Sequence, residues 1–279
     1  MNARKARKLH VTVLLSVVIL GAVSLAALLA PWLAPYAFDA QDTSRLLQSS
    51  NWHHWLGTDR LGRDLLSRVI YGARVSMTLG VTTALIATGL GIAYGTAAGY
   101  LGGRTDNLLM RLLDVIYALP DLLLIILLTI LLGRGLTGMV AALSLVSWVT
   151  VARLVRGEVL RLKSAEYLDA ARALGAGHLR LICVHLLPLM LGPLLVTLSF
   201  RIPSAILAES TLSFVGIGLA PPTPSWGNMA SEGWAALRFY PQVIIVPSVA
   251  IAGTILAFNV LGDYLNDRLN PRSASNFKR

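Results

Sequence analysis

The sequence predicts an all-α polytopic membrane protein with six transmembrane helices and both termini in the cytoplasm. Of the 279 residues, 55% are hydrophobic and 14% are charged, whereas charged residues make up about 25% of an ordinary soluble domain. The mean hydropathy is +0.66. The apolar residues concentrate in six stretches, and most basic residues lie between alternate stretches. This composition excludes a disordered chain, and the single cysteine, Cys183, excludes a disulfide-rich secreted module.

The six apolar stretches define the predicted spans. A helix needs about 20 residues to cross about 30 Å of hydrocarbon at a rise of 1.5 Å per residue. Basic residues precede the first stretch, as in a signal peptide, but its apolar run is longer than the roughly 7 to 15 residues of a signal peptide. We therefore predict a retained helix there. The predicted spans are 11–33, 75–101, 114–133, 138–152, 186–210 and 240–263, the fourth being the shortest.

The basic residues set the predicted orientation. The segments assigned to the cytoplasmic side hold 16 Lys and Arg residues, and outer segments of nearly equal total length hold 7. This bias satisfies the positive-inside rule, so we attribute the net charge of +10 to topology rather than to nucleic-acid binding. Five arginines in the first outer loop run against the rule. The predicted parts are a cytoplasmic tail 1–10, a six-helix domain 11–263 with outer loops 34–74 and 211–239 and a cytoplasmic loop 153–185, and a cytoplasmic tail 264–279.

The sequence lacks the common motifs of catalysis and nucleotide binding. None of its lysines belongs to a Gly-x-x-x-x-Gly-Lys-Ser/Thr phosphate loop. Its five histidines form no His-Glu-x-x-His motif and no Cys/His cluster, and no Gly-x-Ser-x-Gly elbow occurs. We therefore predict no enzymatic activity, no metal site and no cofactor in this chain.

The cytoplasmic loop 153–185 is the most informative segment. Residues 166–174 favour a helix, Gly175 permits a sharp stop, and residues 178–187 resume a helix that enters the membrane. The sequence thus predicts a helix, a glycine turn and a second helix on the cytoplasmic face. A basic surface helix resting on lipid headgroups is the alternative interpretation of the same pattern.

The spacing within this hairpin resembles a known motif. It reads Asp169-Ala-Ala, three residues, Gly175, nine residues, and then x-x-Leu-Pro188, which resembles the EAA loop of ATP-binding cassette (ABC) importer permeases. That family usually has Glu where Asp169 stands. It often has Ile where His185 stands, and His is common there in its peptide and nickel branch.

Three further stretches are similar to the same branch: residues 56–74, 213–227 and 257–272. The resemblance therefore extends from about residue 9 to residue 272, with four long motifs in the right order. It implies a type I ABC importer permease fold, and within the dipeptide, oligopeptide and nickel branch it is similar to the second, or C-type, permease subunit.

The resemblance also implies a function and its partners. Such a subunit sits in the bacterial inner membrane, pairs with a homologous permease subunit, and forms a path for cargo delivered by an extracytoplasmic binding protein. Two partner ATPase subunits supply the energy, membrane lipid surrounds the spans, and nucleic acid is not a partner. The cargo class stays open between dipeptide, oligopeptide, opine, nickel and metal chelate. The residues implied to couple the permease to its ATPase are Glu166, Asp169, Ala170, Ala171, Gly175, His185 and Pro188.

Two charged residues within the fifth span are candidates for the translocation path. A central arginine such as Arg201 costs roughly 2.5 to 3.5 kcal/mol to insert, so we expect it to face the bundle interior, water or a carboxylate such as Glu209. Eight residues, about 12 Å of helix, separate the two. A structural role for this pair is an equal alternative.

A self-sufficient secondary transporter or channel is the rival function. Such a protein needs ionisable relays within the membrane. The predicted spans offer few ionisable groups for a relay, and two of these lie at span edges: Asp114, Asp121, Arg201, Glu209 and Asp263.

Overall fold

The structure is a computed structural model that describes residues 3–269, and within that part the chain is helical, with one isolated β-bridge between Thr58 and Asp64. A π-helical turn at Leu181–Leu186 joins two of the helices into one continuous rod. The helices are α1 (Ala3–Leu28), α2 (Ala30–Leu33), α3 (Leu65–Leu101), α4 (Gly103–Tyr117), α5 (Asp121–Leu132), α6 (Leu136–Lys163), α7 (Glu166–Ala173), α8 (His178–Arg180), α9 (Leu187–Phe214), α10 (Trp226–Trp234) and α11 (Gln242–Leu269).

Five helices in residues 3–269 are long and apolar enough to cross a membrane: His10–Leu28 of α1, α3, α6, the rod His178–Phe214, and α11. The third predicted span, 114–133, is wrong as a single helix. It is divided between α4 and α5, which meet at an angle of 84°. Pro120 stands at the break, where its ring and missing N–H cannot continue a helix. The 12 residues of α5 rise about 18 Å and cannot span a bilayer alone.

Several predicted boundaries also move. Helix α3 begins ten residues before the predicted start at 75, because the Asp64 carboxylate caps it by accepting the Ser67 amide at 2.7 Å. Helix α6 continues eleven residues past the predicted end at 152. Of the predicted tails, residues 3–10 belong to α1 and 264–269 to α11, while residues 1–2 and 270–279 lie outside the described residues.

A glycine ridge on α3 allows α6 to pack unusually close. Cβ atoms built at Gly91 and Gly99 would lie 2.5 Å from Val151 Cγ1 and 2.9 Å from Val159 Cβ, and one at Gly95 would lie 2.4 Å from the Ala152 carbonyl oxygen. The small-x-x-x-small ridge is therefore a helix-packing surface. The order of these contacts also shows that α3 and α6 run parallel.

The remaining spans pack around this pair. Helix α9 runs antiparallel to α3, with Ile202 and Ile206 against Gly80, and α11 lies against α9 through Gly262. Helix α1 packs on α3 and α11. The bundle therefore has two ends, which we call the coupling end, where Leu101 and Lys163 lie, and the outer end, where α3 begins.

Helix α4 lies across the coupling end and is fastened to α6 by ion pairs. Arg156 binds Asp106 with two hydrogen bonds of 2.6 Å. Arg153 lies 2.6 Å from Asp114, and its guanidinium stacks 4.0 Å from the centre of the Tyr117 ring. These contacts hold the first half of the broken span beside α6, so that the chain turns back toward the outer end through α5.

The first outer loop is a folded unit rather than an open connection. Arg63 and Arg68 are buried, and both bind Asp59 and Glu232. Burial alone would raise the pKa of the Asp59 carboxyl, but the charges of Arg68 and Arg63 and hydrogen bonds from backbone amides outweigh it and lower that pKa below its usual value. Two of the five arginines that run against the positive-inside rule are thus neutralised within the fold, and they join the first outer loop and the start of α3 to α10.

A second polar contact closes this loop. The His54 ring nitrogen Nδ1 lies 2.9 Å from Asp64, the same carboxylate that caps α3. Arg45 forms an exposed ion pair with Asp42 at 3.1 Å. Asp64 therefore joins the loop to the start of α3.

Candidate functional site: the coupling hairpin and an intramembrane cavity

The predicted hairpin is present and its shape is confirmed. Helix α7 is anchored by Leu168, which is completely buried in one hydrophobic cluster with Val159 of α6 and with Leu181 and Leu186 of the π-helical turn. Its opposite face is open, with Glu166, Asp169 and Ala170 exposed. A short helix thus holds one face on the bundle and presents the other at the coupling end.

The glycine turn after α7 is a Schellman motif. Gly175 has φ +84°, its amide donates to the Arg172 carbonyl at 2.9 Å, and the Ala176 amide donates to the Ala171 carbonyl at 3.0 Å. Glycine is favoured at this position because a side chain strains the left-handed backbone. Ala171 and Ala176 both pack on the buried cluster beneath. The turn therefore fixes the direction in which the chain leaves α7.

The predicted coupling residues occupy two different places. Glu166, Asp169, Ala170 and Gly175 are exposed on the hairpin and Ala171 is half-buried. Asp169 also lies 2.6 Å from Arg172 on its own helix.

The other two predicted residues, His185 and Pro188, lie on the rod that leads into the membrane. His185 is half-buried within the π-helical turn, and Pro188 is exposed in the first turn of α9. Pro188 is tolerated there because the wider π-helical turn precedes it. These two residues therefore belong to the connection rather than to the exposed face of the hairpin.

Sequence reasoning missed the contact that ties the hairpin to α3. The Tyr100 hydroxyl lies 2.7 Å from His178 Nδ1, and the two rings meet edge to face at 5.7 Å between centroids. Lys163, the last residue of α6, donates to the Tyr100 carbonyl at 2.5 Å. These residues are 63 and 78 positions from Tyr100, so no local pattern reveals the contact.

A cavity of about 270 Å³ lies between α3, α5, α6 and α9, where two charged residues from different helices face the same space. Arg201 comes from the middle of α9, and Asp121 is the first residue of α5. The cavity is lined by Thr83, Ala84, Asp121, Leu122, Ile125, Leu143, Val146, Ser147, Thr150, Arg201, Ser204, Ala205 and Ala208.

Glu209 does not line this cavity. It is completely buried nearer the end of α9, where one carboxylate oxygen accepts hydrogen bonds from Ser213 at 2.8 Å and Ser225 at 2.6 Å. A Cβ on Gly227 of α10 would lie 2.8 Å from its other oxygen. Glu209 and Arg201 therefore lie in different surroundings, and Glu209 joins α9 to α10.

The second outer loop folds back onto the bundle through α10. The Trp226 side chain is buried, and its indole N–H donates to the Val69 carbonyl of α3 at 3.0 Å. The Asn228 side chain donates to the Leu219 carbonyl at 2.7 Å. The proline-containing segment before α10 is thereby held over the outer end.

This arrangement defines the class of the protein. A bundle of apolar spans, one of them broken at an intramembrane cavity, ends on one side in an exposed helix-turn-helix and on the other in folded loops, which is the form of a transport permease. The chain matches the family "Binding-protein-dependent transport system inner membrane component" over residues 66–275 and belongs to it. Residues 8–49 match the "N-terminal TM domain of oligopeptide transport permease C". The protein is therefore a permease component of the inner membrane.

Curated relatives match nearly the whole chain. The chain is 39% identical to the "Oligopeptide transport system permease protein OppC" of Bacillus subtilis (strain 168), over 93% of this chain and 85% of that protein. It is 43% identical to the "Dipeptide transport system permease protein DppC" of the same organism, over 88% and 77%. It is 38% identical to the "Glutathione transport system permease protein GsiD" of Pectobacterium atrosepticum, over 98% and 90%.

A solved structure shares the fold. A chain of the "MetNI methionine ABC transporter", described in inward-facing conformations, aligns with a TM-score of 0.62 at 14% identity, covering 74% of this chain and 98% of that one. The predicted type I ABC importer permease fold is therefore confirmed.

Proposed function

We propose that this chain is one of two homologous permease subunits of an ABC importer for peptides. It pairs with a second permease subunit, receives cargo from an extracytoplasmic binding protein, and is driven by two partner ATPase subunits. The names of the relatives support peptide cargo, because oligopeptide, dipeptide and glutathione all contain peptide bonds. Nickel, opines and metal chelates, which the sequence left open, have less support from these relatives.

The observation that carries the coupling role is the two-sided construction of α7. Leu168 and the Schellman turn fix the helix to the bundle, while Asp169 and Ala170 remain exposed. Such a helix fits a groove in an ATPase subunit, where Asp169 meets a basic residue and the small Ala170 permits close approach. Gly175 sets the angle between the docked helix and the rod that enters the membrane.

Closure of the ATPase dimer then displaces the hairpin, and the hairpin transmits that displacement to the bundle. The hairpin is joined to α3 by the contact between His178 and Tyr100, and it shares a hydrophobic cluster with Val159 of α6. Lys163 in turn joins α6 to α3, so displacement of α7 moves these spans together. The bundle rocks between inward-open and outward-open states, and nucleotide binding biases that two-state equilibrium.

Of the two intramembrane candidates, Arg201 has the stronger case for a place on the path. It lines a cavity between four helices, and an ionisable residue in such a place is a functional candidate by default. The contacts of Glu209 instead favour a role in anchoring α10 at the outer end.

The coupling role is tested in the reconstituted importer. We expect Gly175→Pro and Asp169→Arg to insert and assemble normally but to abolish the stimulation of ATP hydrolysis by cargo-loaded binding protein. Proline cannot adopt φ +84°, and the arginine reverses the charge offered to the ATPase.

Two controls are matched to these variants. Gly177 has φ −70°, which proline adopts readily, so Gly177→Pro should keep the stimulation, as should the charge-conserving Asp169→Glu. Normal stimulation in both Gly175→Pro and Asp169→Arg would overturn the coupling role. Failure of the chain to copurify with an ATPase subunit would favour a self-sufficient secondary transporter or channel.

A further inference from the structure

The cavity between α3, α5, α6 and α9 contains two opposite charges that do not bind each other. No nitrogen of Arg201 lies within 4.0 Å of an Asp121 carboxylate oxygen. Neither side chain has a hydrogen-bond or ion-pair partner among residues 3–269. An arginine at this depth normally pairs with a carboxylate, a carbonyl or a ligand.

A third group in the same cavity also lacks a partner. The Thr83 side chain is 2% exposed, and its hydroxyl makes no hydrogen bond within the described part of the chain. A buried hydroxyl without a partner costs free energy, and this one lines the space beside the two charges. The cavity therefore offers a cation and an anion without partners in residues 3–269, beside a buried hydroxyl that also has none.

The break in the third span creates this arrangement. Because the chain bends by 84° between α4 and α5, Asp121, an exposed residue, begins a short helix packed on α6 instead of lying within a continuous span. Discontinuous helices near the bilayer midplane form ligand sites in other transporter folds. Asp121 thus reaches the level of Arg201, which lies 80 residues away in the chain.

We propose that Arg201 and Asp121 form a subsite for zwitterions, in which the guanidinium binds the carboxylate of a short peptide and the Asp121 carboxylate binds its amino group. The two charges lie more than 4.0 Å apart and line one cavity, so a ligand that bears both charges can bind between them. The volume of about 270 Å³ lies near the lower limit of roughly 300 Å³ for ligand pockets, which suits a dipeptide. This subsite rests on the proposed function as a peptide permease and adds the chemistry of recognition inside the membrane.

The test is equilibrium binding of tritiated alanylalanine to the complete importer in nanodiscs, without binding protein and without nucleotide. Unlabelled alanylalanine, its C-terminal amide and its N-acetyl derivative compete for the site. Because a hydrogen bond to a charged group contributes about 1.5 to 3 kcal/mol, each capped derivative should compete at least about tenfold more weakly in the wild type.

The variants test the two charged residues one at a time. In Arg201→Gln the free acid and the amide should compete equally, while the N-acetyl derivative should still compete more weakly. In Asp121→Asn the free acid and the N-acetyl derivative should compete equally, while the amide should still compete more weakly. Arg201→Lys retains the charge and should keep both preferences. Arg238→Gln and Asp39→Asn make the same chemical changes in exposed outer loops and should behave as wild type.

Three results would overturn the subsite. If each single variant weakened all three peptides equally, the two residues would serve as an ion pair between helices in another state of the importer. Equal competition by all three peptides in the wild type, or no binding at all, would also refute it. Uptake of labelled dipeptide by the wild-type importer, with binding protein and ATP present, is measured in parallel. If the wild type takes up the dipeptide but the competition pattern fails, the subsite alone is refuted. If the wild type takes up no peptide, the proposed cargo is refuted.

Discussion

The packing of α3 on α6 makes a quantitative prediction for Gly95→Ala. A Cβ at this position would lie 2.4 Å from the Ala152 carbonyl oxygen, 2.8 Å from Val155 Cβ and 3.0 Å from the Arg156 amide nitrogen. Two of these three atoms belong to the backbone, so no change of rotamer relieves the clash. The two helices must therefore separate by about 1 Å to restore ordinary contact.

The cost follows from that separation. Overpacking a close interface costs about 1 to 3 kcal/mol, and a gap of 0.5 to 1 Å forfeits about a quarter to a half of each dispersion contact along the interface. Alanine has a better helix propensity than glycine, which offsets this cost by about 0.8 to 1 kcal/mol. Because two of the three clashing atoms belong to the backbone, the upper end of that cost, about 3 kcal/mol, applies, and subtracting the gain from alanine leaves a net loss of about 2 kcal/mol in the free energy of unfolding of Gly95→Ala.

The same helix provides the matched control. A Cβ at Gly89 meets nothing within 4 Å, so Gly89→Ala gains the propensity of alanine, about 0.8 to 1 kcal/mol, without a clash. The two variants should therefore differ by about 3 kcal/mol. The free energy of unfolding is measured by titrating the purified importer in dodecyl maltoside with sodium dodecyl sulfate and following tryptophan fluorescence. Equal stability of the two variants would show that the ridge is not a tight packing surface.

Two further predictions concern the two ends of the bundle. Because Asp59 has a lowered pKa, its ion pairs stabilise the fold above the unfolded value of 3.8 and are lost as the pH falls below it; melting temperatures measured from pH 7 to pH 3 should drop below about pH 4. Asp59→Asn should melt lower at pH 7 and show less of that drop, and an identical pH profile would contradict the assignment. At the coupling end, Tyr100→Phe removes the hydroxyl bound to His178, a contact of about 1 kcal/mol, and should reduce the ratio of stimulated to basal ATP hydrolysis about fivefold. Tyr264→Phe on α11 is the control, and an unchanged ratio in Tyr100→Phe would exclude the proposed link from α3 to the hairpin.

The sequence predicted the features that depend on local pattern. Apolar stretches of about 20 residues identify spans wherever the helix is unbroken. The end of the helix before Gly175 can be predicted because the turn needs a left-handed residue at that point. The spacing of Gly91, Gly95 and Gly99 is local in the same sense, since residues four apart share one face of a helix, but their contact with α6 is a property of the tertiary structure.

At Pro120 the local sequence pattern predicted one continuous span where the structure has two helices. Residues 114–133 are uniformly apolar enough for a span, and Pro120 does not by itself decide between a mild kink and a break. The ion pairs of α4 with Arg153 and Arg156 of α6 hold the two halves at 84°, and these partners lie 39 and 50 residues away in the chain. A charge pattern in sequence does not state which distant partner it will meet.

The sequence by itself therefore determined the membrane class, the apolar stretches, the hairpin and the family resemblance, because hydrophobic period, helix stops and motif spacing are properties of neighbouring residues. Only the tertiary structure decided that Arg63 and Arg68 share Glu232, that Tyr100 holds His178, and that Asp121 faces Arg201 across one cavity. Each of these contacts joins residues far apart in the chain. Coulomb and hydrogen-bond energies depend on distance in space, and the packing of the helices fixes that distance.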